Sequence, residues 1–500
     1  MTSAPQQRPR PRRRPQRGPG PLIVLGVVAL VPALVLFAMF RWSAGQVDDN
    51  EAAPVPDSPV QLPAPSEALS TGLFAMRRMP TLVSRDLNVE AFEAELAPFL
   101  GSLNDRSCVA VSVDGVPIGE TNPDLAVIPA SNQKLVVASV ALEQLGHDFR
   151  YTTTVEVPAE PVDGAVKGDL YLVGGGDPLL SSVWYPTSNL ERHPVTSPTR
   201  LETLADGVVD AGIQVVEGGV VGDGSRYDDE FFASGWGVGV AGLEAGPYDA
   251  LMVNDSRVLD DPLRADDPNE GAAREFTLLL EERGVQVAAA PAAGTAPADS
   301  IEVASVQSAP MSAVVAEMLG NSDNNTSELV VKELGLAASG SGTREAGLAA
   351  MQEQLDAWGL ASDAVVLADG SGLSLENRMT CATLLALLQR SGADVSIGTA
   401  LAVAGETGTL ADVFVDHEVA GRLSGKTGTL NNPPFNVDPP AVKALAGYVA
   451  IEGGGAVEYV LILNGPTISD QSEYRPVWDA FADVLATYPS GPTPADLGPR

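Results

Sequence analysis

The hexapeptide "GKTGTL" at residues 425–430 occurs a second time, with one exchange, as "GETGTL" at 405–410. A lysine in one copy stands where the other has a glutamate, so the two cannot serve the same ligand. "RLSGKTGTL" (422–430) reads as a short strand leading into a final hairpin, and Gly425 and Gly428 on either side of Lys426 and Thr427 let a ligand come close to backbone. Lys426 supplies positive potential there, and Thr427 and Thr429 supply hydroxyl donors, a set that suits a substrate carboxylate. Glu406 would repel the same group. The copy at 425–430 is therefore expected to be a binding site, and the copy at 405–410 backbone and packing.

Lysine is rare in this chain. Of 30 Lys plus Arg only Lys134, Lys167, Lys332, Lys426 and Lys443 are lysines, and an amine can lose its proton where a guanidinium in practice cannot. In "PASNQKL" (129–135) Ser131 and Lys134 are three apart at the start of a predicted helix, on one face and within reach of each other. An alcohol beside an amine of lowered pKa is a nucleophile with its base attached, and the apolar run after Lys134 favours the neutral amine by desolvation. A bland alternative makes Ser131 a helix N-cap. In "NSDNNTSEL" (321–329) Ser322 and Asn324 are two apart, so an extended loop would point both into one cleft; the alternative is an N-cap for the helix that follows.

Composition narrows the function. A net charge of −35, with six arginines confined to residues 1–20, leaves the rest of the chain more acidic still. Such a surface repels phosphate, so nucleic acid is not an expected partner. Two cysteines, Cys108 and Cys381, and three histidines are too few and too scattered for a Cys/His zinc cluster, and no metal or cofactor is expected. Both cysteines read as buried small hydrophobes; a bridge is permitted if the chain is exported.

Export itself is expected. Residues 1–20 form a basic Pro- and Arg-rich tail on the cytoplasmic side, and 21–41 opens with twenty residues free of charge, about the length that crosses a bilayer as a helix. Arginines before the run and acids after it place the body outside. An uncleaved single-pass anchor is favoured over a cleaved signal peptide, which would leave the protein secreted. Residues 42–80 follow as a flexible linker.

The body alternates in texture. Helical spacing at 87–103, two strands around an Asp-Gly turn at 107–122 and a helix at 131–146 open it; helices at 309–319, 324–335, 343–358 and 380–391, a strand hairpin and a closing helix at 472–488 end it. The Gly-rich middle differs in character. One α+β catalytic domain, 81–157 with 301–490, is thus predicted to be interrupted by an accessory region at 158–300 and followed by a disordered tail at 491–500.

The order S-x-x-K, S-x-N, K-T-G resembles the motif set of penicillin-binding proteins and class A β-lactamases. With "GDLYLVGGGDP" (168–178), "ALMVNDSRV" (250–258) and "DGSGLSLENRMT" (369–380), residues 85 to 490 resemble the D-alanyl-D-alanine carboxypeptidase/endopeptidase kind, the PBP4-like peptidases of serine peptidase family S13. That resemblance implies a core of five antiparallel strands flanked by helices, peptidoglycan stem peptides as substrate and β-lactams as covalent inhibitors. It casts Ser131 as nucleophile, Lys134 as base, Ser322 and Lys426 as the path of the proton to the leaving amine, and Asn324 as holder of the substrate amide. Thr427, Gly428 and Thr429 would bind the terminal carboxylate, and the backbone N–H groups of Ser131 and Thr429 would form the oxyanion hole. Asp177 and Asp369 match the family's letters but read equally as loop residues. No glutamate stands where a class A β-lactamase deacylates: Glu328 is too near the Ser-Asp-Asn loop and Glu376 reads as a helix-start residue. The competing readings are a serine β-lactamase or esterase, and a cell-wall sensor acylated once without turnover.

Overall fold

Stretches from opposite ends of the body build one antiparallel sheet. A computed structural model of the chain describes residues 79–190, 195–237, 239–360, 363–393, 395–431, 441–452 and 454–498, all within one compact unit, Ala75–Arg500. The expected tail, anchor and nearly all of the linker lie outside the described residues.

Helix α1 (Met79–Leu100) precedes β1 (Cys108–Val113) and β2 (Val116–Thr121), which turn through Asp114 and Gly115. Both turn residues have positive φ, the backbone a tight hairpin needs and Asp-Gly supplies. After α2 (Lys134–Gln144), β3 (Thr152–Val157) leaves for the inserted region, where β4 (Leu170–Val173), α3 (Leu201–Asp210), β5 (Val220–Asp223), α4 (Pro268–Glu282) and β6 (Ala292–Ala293) lie, and β7 (Ile301–Gln307) returns. Helices α5 (Met311–Asn321), α6 (Asn324–Ser339), α7 (Arg344–Trp358) and α8 (Cys381–Ser391) follow. A two-residue β8 (Ala402–Val403), then β9 (Leu423–Leu430), β10 (Ala441–Ala450), β11 (Ala456–Gly465) and α9 (Gln471–Ala486) complete the chain.

The main sheet runs β8-β9-β10-β11-β1-β2. The five strands implied by the resemblance are all present, with β8 added as a short sixth at the edge. Strand alternation decides which layer each residue serves. On β11 Val460 and Ile462 join the core under α2, α5 and α8, while Val457, Tyr459, Leu461 and Leu463 join the one under α1 and α9. A sheet buried on both faces explains why β11 is buried at every position. Helix α2 is likewise buried from Lys134 to Leu142, and burial of Val136, Val137 and Val140 contributes about 1.5–3 kcal/mol each.

The inserted region has its own core and a five-stranded sheet, β6-β5-β4-β3-β7, in which β3 and β7 pair antiparallel as the way in and out. It is not isolated from the helices. Arg226 and Tyr227 bond to Glu333 on α6, Lys332 on α6 donates to the carbonyls of Asp228 and Glu230, and Arg344 on α7 forks onto Glu230.

Three sequence expectations are corrected here. Cys108 and Cys381 are buried, but as a disulfide: β1 turns Cys108 toward the helical layer, where the first residue of α8 meets it. The stretch after 490 does not stand clear, because Asn88 and Ser84 on α1 bond to the Pro492 carbonyl. Glu376 starts no helix; it lies in a turn before Thr380, whose hydroxyl caps α8 by accepting from the Thr383 N–H.

Candidate active site

Ser131 sits in a short 3-10 turn, Ala130–Gln133, that runs directly into α2. Ala130 has a φ of 49°, a left-handed conformation that costs a non-glycine residue energy and is held by what surrounds it. Two glycines permit that packing. A Cβ on Gly428 would stand 3.0 Å from the Pro129 carbonyl and 3.2 Å from the Ala130 Cβ, and one on Gly372 would overlap the Ala130 carbonyl. Gly428 therefore admits the nucleophile's own turn to β9, and no approach of a ligand is needed to explain it. Ser131 makes no side-chain cap; its Oγ accepts from Lys134 Nζ at 3.1 Å.

Lys134 is fully buried and also donates to Asn324 Oδ1 at 2.7 Å and to the Ser371 carbonyl at 2.5 Å. Burial pushes its pKa down to about 8, against the opposing pull of Asp369, Asp323 and Glu328. The second motif bridges two helices. Ser322, with φ 63°, ends α5, Asp323 caps α6 by accepting from the Thr326 N–H, and Asn324 is the first residue of α6. The cap and cleft alternatives are both realised, by different residues: Asp323 caps while Ser322 and Asn324 reach the cavity. Asn324 Nδ2 donates to the Glu244 carbonyl at 2.8 Å, which fixes the amide's orientation.

Lys426 on β9 is fully buried and donates to Ser322 Oγ at 2.7 Å and to the Thr427 carbonyl at 2.9 Å. Burial, with the charge of Lys134 next, drives its pKa well down. Desolvation and a neighbouring amine both act toward the neutral form of this lysine. The near-copy at 405–410 is also more than backbone. Thr427 Oγ1 donates to Thr409 Oγ1 at 2.8 Å, and Thr409 lines the cavity. Glu406 does not line it.

One cavity of about 580 Å³ gathers Ser131, Ser322, Asn324, Thr427 and Thr429, with Glu244, Leu373, Thr409, Asp412 and Lys443 among its other walls. Pairing of β8 with β9 stops at Ser424 and Gly425, so the outer edge of β9 from Lys426 onward runs past that short strand toward the nucleophile turn. Asp369 is buried and outside the cavity, accepting from the N–H groups of Gly372 and Ser374, from Asn377 Nδ2 and from Trp236 Nε1. Glu328 is spent in the same way on the Gly370 and Ser371 N–H groups. Asp177 is buried away from the site, accepts from the Leu179 N–H and is pushed up to about 6 by burial. Among the described residues no group of His, Cys, Asp or Glu side chains is arranged to hold a metal ion.

The fold and this arrangement define a serine acyltransferase site of the penicillin-recognising type. The sequence profile of the D-Ala-D-Ala carboxypeptidase 3 (S13) family matches residues 101–261 and 254–488, and the chain belongs to that family. It is 28% identical over 486 residues to a carboxypeptidase DacB of Mycolicibacterium smegmatis, covering 95% of this chain and 97% of that one. It is 28% identical over 446 residues to a D-alanyl-D-alanine carboxypeptidase of Actinomadura sp. strain R39, covering 72% and 77%. The crystal structure of penicillin binding protein 4 from Haemophilus influenzae superposes with a TM-score of 0.63 at 19% identity, over 77% of this chain and 97% of that one. The α+β fold implied by the sequence is therefore the fold observed.

Proposed function

We propose that the chain is an extracytoplasmic serine DD-peptidase that removes the terminal D-alanine from peptidoglycan stem peptides through an acyl-serine and is acylated by β-lactams. The observation that carries this reading is the convergence of two hydroxyl and amine pairs, Ser131 with Lys134 and Ser322 with Lys426, around one cavity. Lys134, its pKa lowered to about 8 by burial, takes the proton of Ser131 as Oγ attacks the penultimate carbonyl. The N–H groups of Ser131 and Thr429 receive the oxyanion, each donor contributing about 3 kcal/mol in comparable sites. Lys426 and Ser322 pass a proton to the departing amine, Asn324 holds the substrate amide, and Thr427 and Thr429 hold the carboxylate. Water then cleaves the ester.

Export is supported from two sides. The charge-free run within residues 21–41, flanked by arginines, reads as a membrane anchor on the sequence alone, and the Cys108–Cys381 bridge belongs to an oxidising compartment. Residues 158–300 are read as the accessory domain, with β3 and β7 as its way in and out. Ser131→Ala is expected to abolish both labelling by a fluorescent penicillin and D-Ala release from diacetyl-Lys-D-Ala-D-Ala. Labelling that persists in this variant would move the nucleophile elsewhere.

A further inference from the structure

Lys426 is buried behind the cavity wall, so a second cation that itself lines the wall would meet a substrate carboxylate more directly. Lys443 is placed for it. It lies directly across the β9-β10 ladder from Thr429, and its Nζ donates to Thr429 Oγ1 at 2.9 Å. Its side chain is half-buried and lines the same cavity as Ser131. The ammonium stands 4.2 Å from the centroid of the Tyr474 ring and 5.2 Å from that of Trp478, both on α9, and these aromatic faces attract the cation and limit its wandering.

The hydrogen-bond directions add to this. An ammonium can only donate, so Thr429 Oγ1 accepts from Lys443 and its own proton is left to be given away. Thr427 Oγ1 lies 2.8 Å from Thr409 Oγ1, so the hydroxyl set at this end of the cavity continues through the near-copy. The carboxylate carbon of a leaving residue is two bonds, N–Cα and Cα–C, from the nitrogen of the bond that Ser131 attacks, about 2.5 Å away. Asp412 and Arg475 also line the cavity, so its wall carries both signs of charge.

On the peptidase reading above, we infer that Lys443 is the specificity residue for the free C-terminal carboxylate of the substrate, binding it through Thr429 and by direct charge. The sequence offers the cross-strand position without showing it, since Lys443 stands fourteen residues beyond Thr429 and only the register brings them together.

The test compares kcat/KM for one peptide ending in D-Ala-D-Ala with a free carboxylate and for the same peptide ending in the amide, in the wild type, Lys443→Gln and Lys443→Arg. The acid-over-amide preference is expected to fall at least tenfold in Lys443→Gln and to be largely kept in Lys443→Arg. Because the preference is a ratio taken within one protein, a partial loss of folded enzyme cancels. An unchanged preference in Lys443→Gln, or a loss that strikes both peptides equally, would overturn the inference while leaving the peptidase intact. A wild type that releases no product from either peptide would overturn the peptidase reading and the inference with it.

Discussion

Burial strips water from the ammonium form of Lys134 while Asp369, Asp323 and Glu328 pull the other way, and the balance leaves its pKa at about 8. A base works only when unprotonated, so the sign follows directly. Acylation by a β-lactam is expected to rise about tenfold per pH unit below about 8 and to level off above it, as stopped-flow or gel labelling from pH 6 to 9 would measure. Lys134→Arg, whose guanidinium keeps its proton, is expected to lose about 10²- to 10⁴-fold in rate. A rate independent of pH across that range would remove Lys134 as the base. Ser131 and Lys134 were legible in the sequence because a three-residue spacing at a helix start carries its own geometry. The state of Lys426 was not, since its desolvation and the nearby Lys134 depend on packing between segments almost three hundred residues apart.

On the proposed mechanism the loop at 369–374 positions the base through its backbone. Asp369 gathers four donors from Trp236, Gly372, Ser374 and Asn377, Glu328 gathers two more, and the carbonyl they fix at Ser371 holds Lys134. One donor comes from the inserted region. Trp236→Phe keeps one six-membered ring against Tyr248 and removes the N–H together with the five-membered ring that carries it; leaving Asp369 short of a donor is expected to cost about 1–3 kcal/mol of stability. It is also expected to slow acylation by roughly tenfold at a temperature where the variant is fully folded, an effect of misplacing the base. Loss of stability with an unchanged acylation rate would make Trp236 structural only. Helix positions and the β9 strand could be read from periodicity and glycine placement. Thr409, Lys443 and Trp236 could not, because strand register and the return of an inserted segment bring them to the site.

At the scale of the molecule, the catalytic layers are assembled from both ends of the chain, and the Cys108–Cys381 bridge ties β1 to α8 across 273 residues of sequence. Neither cysteine's bonding was readable beforehand, because a separation of that length says nothing of who meets whom. The bridge closes a loop containing the whole inserted region and both the Ser131 and Ser322 motifs, so in the unfolded chain it removes much freedom, while in the folded chain it touches no wall of the cavity. Chain-entropy reasoning puts its contribution at about 2–5 kcal/mol, acting mainly on the unfolded state. Replacing both cysteines by alanine is therefore expected to lower the melting midpoint by roughly 2–6 °C, with penicillin acylation at 25 °C held near the wild-type rate. Calorimetry and labelling on the same preparation would measure both. An unchanged midpoint, with free thiols found at Cys108 and Cys381 in wild-type protein purified without reductant, would mean the bond does not form, and the argument for export would fall back on residues 21–41 alone.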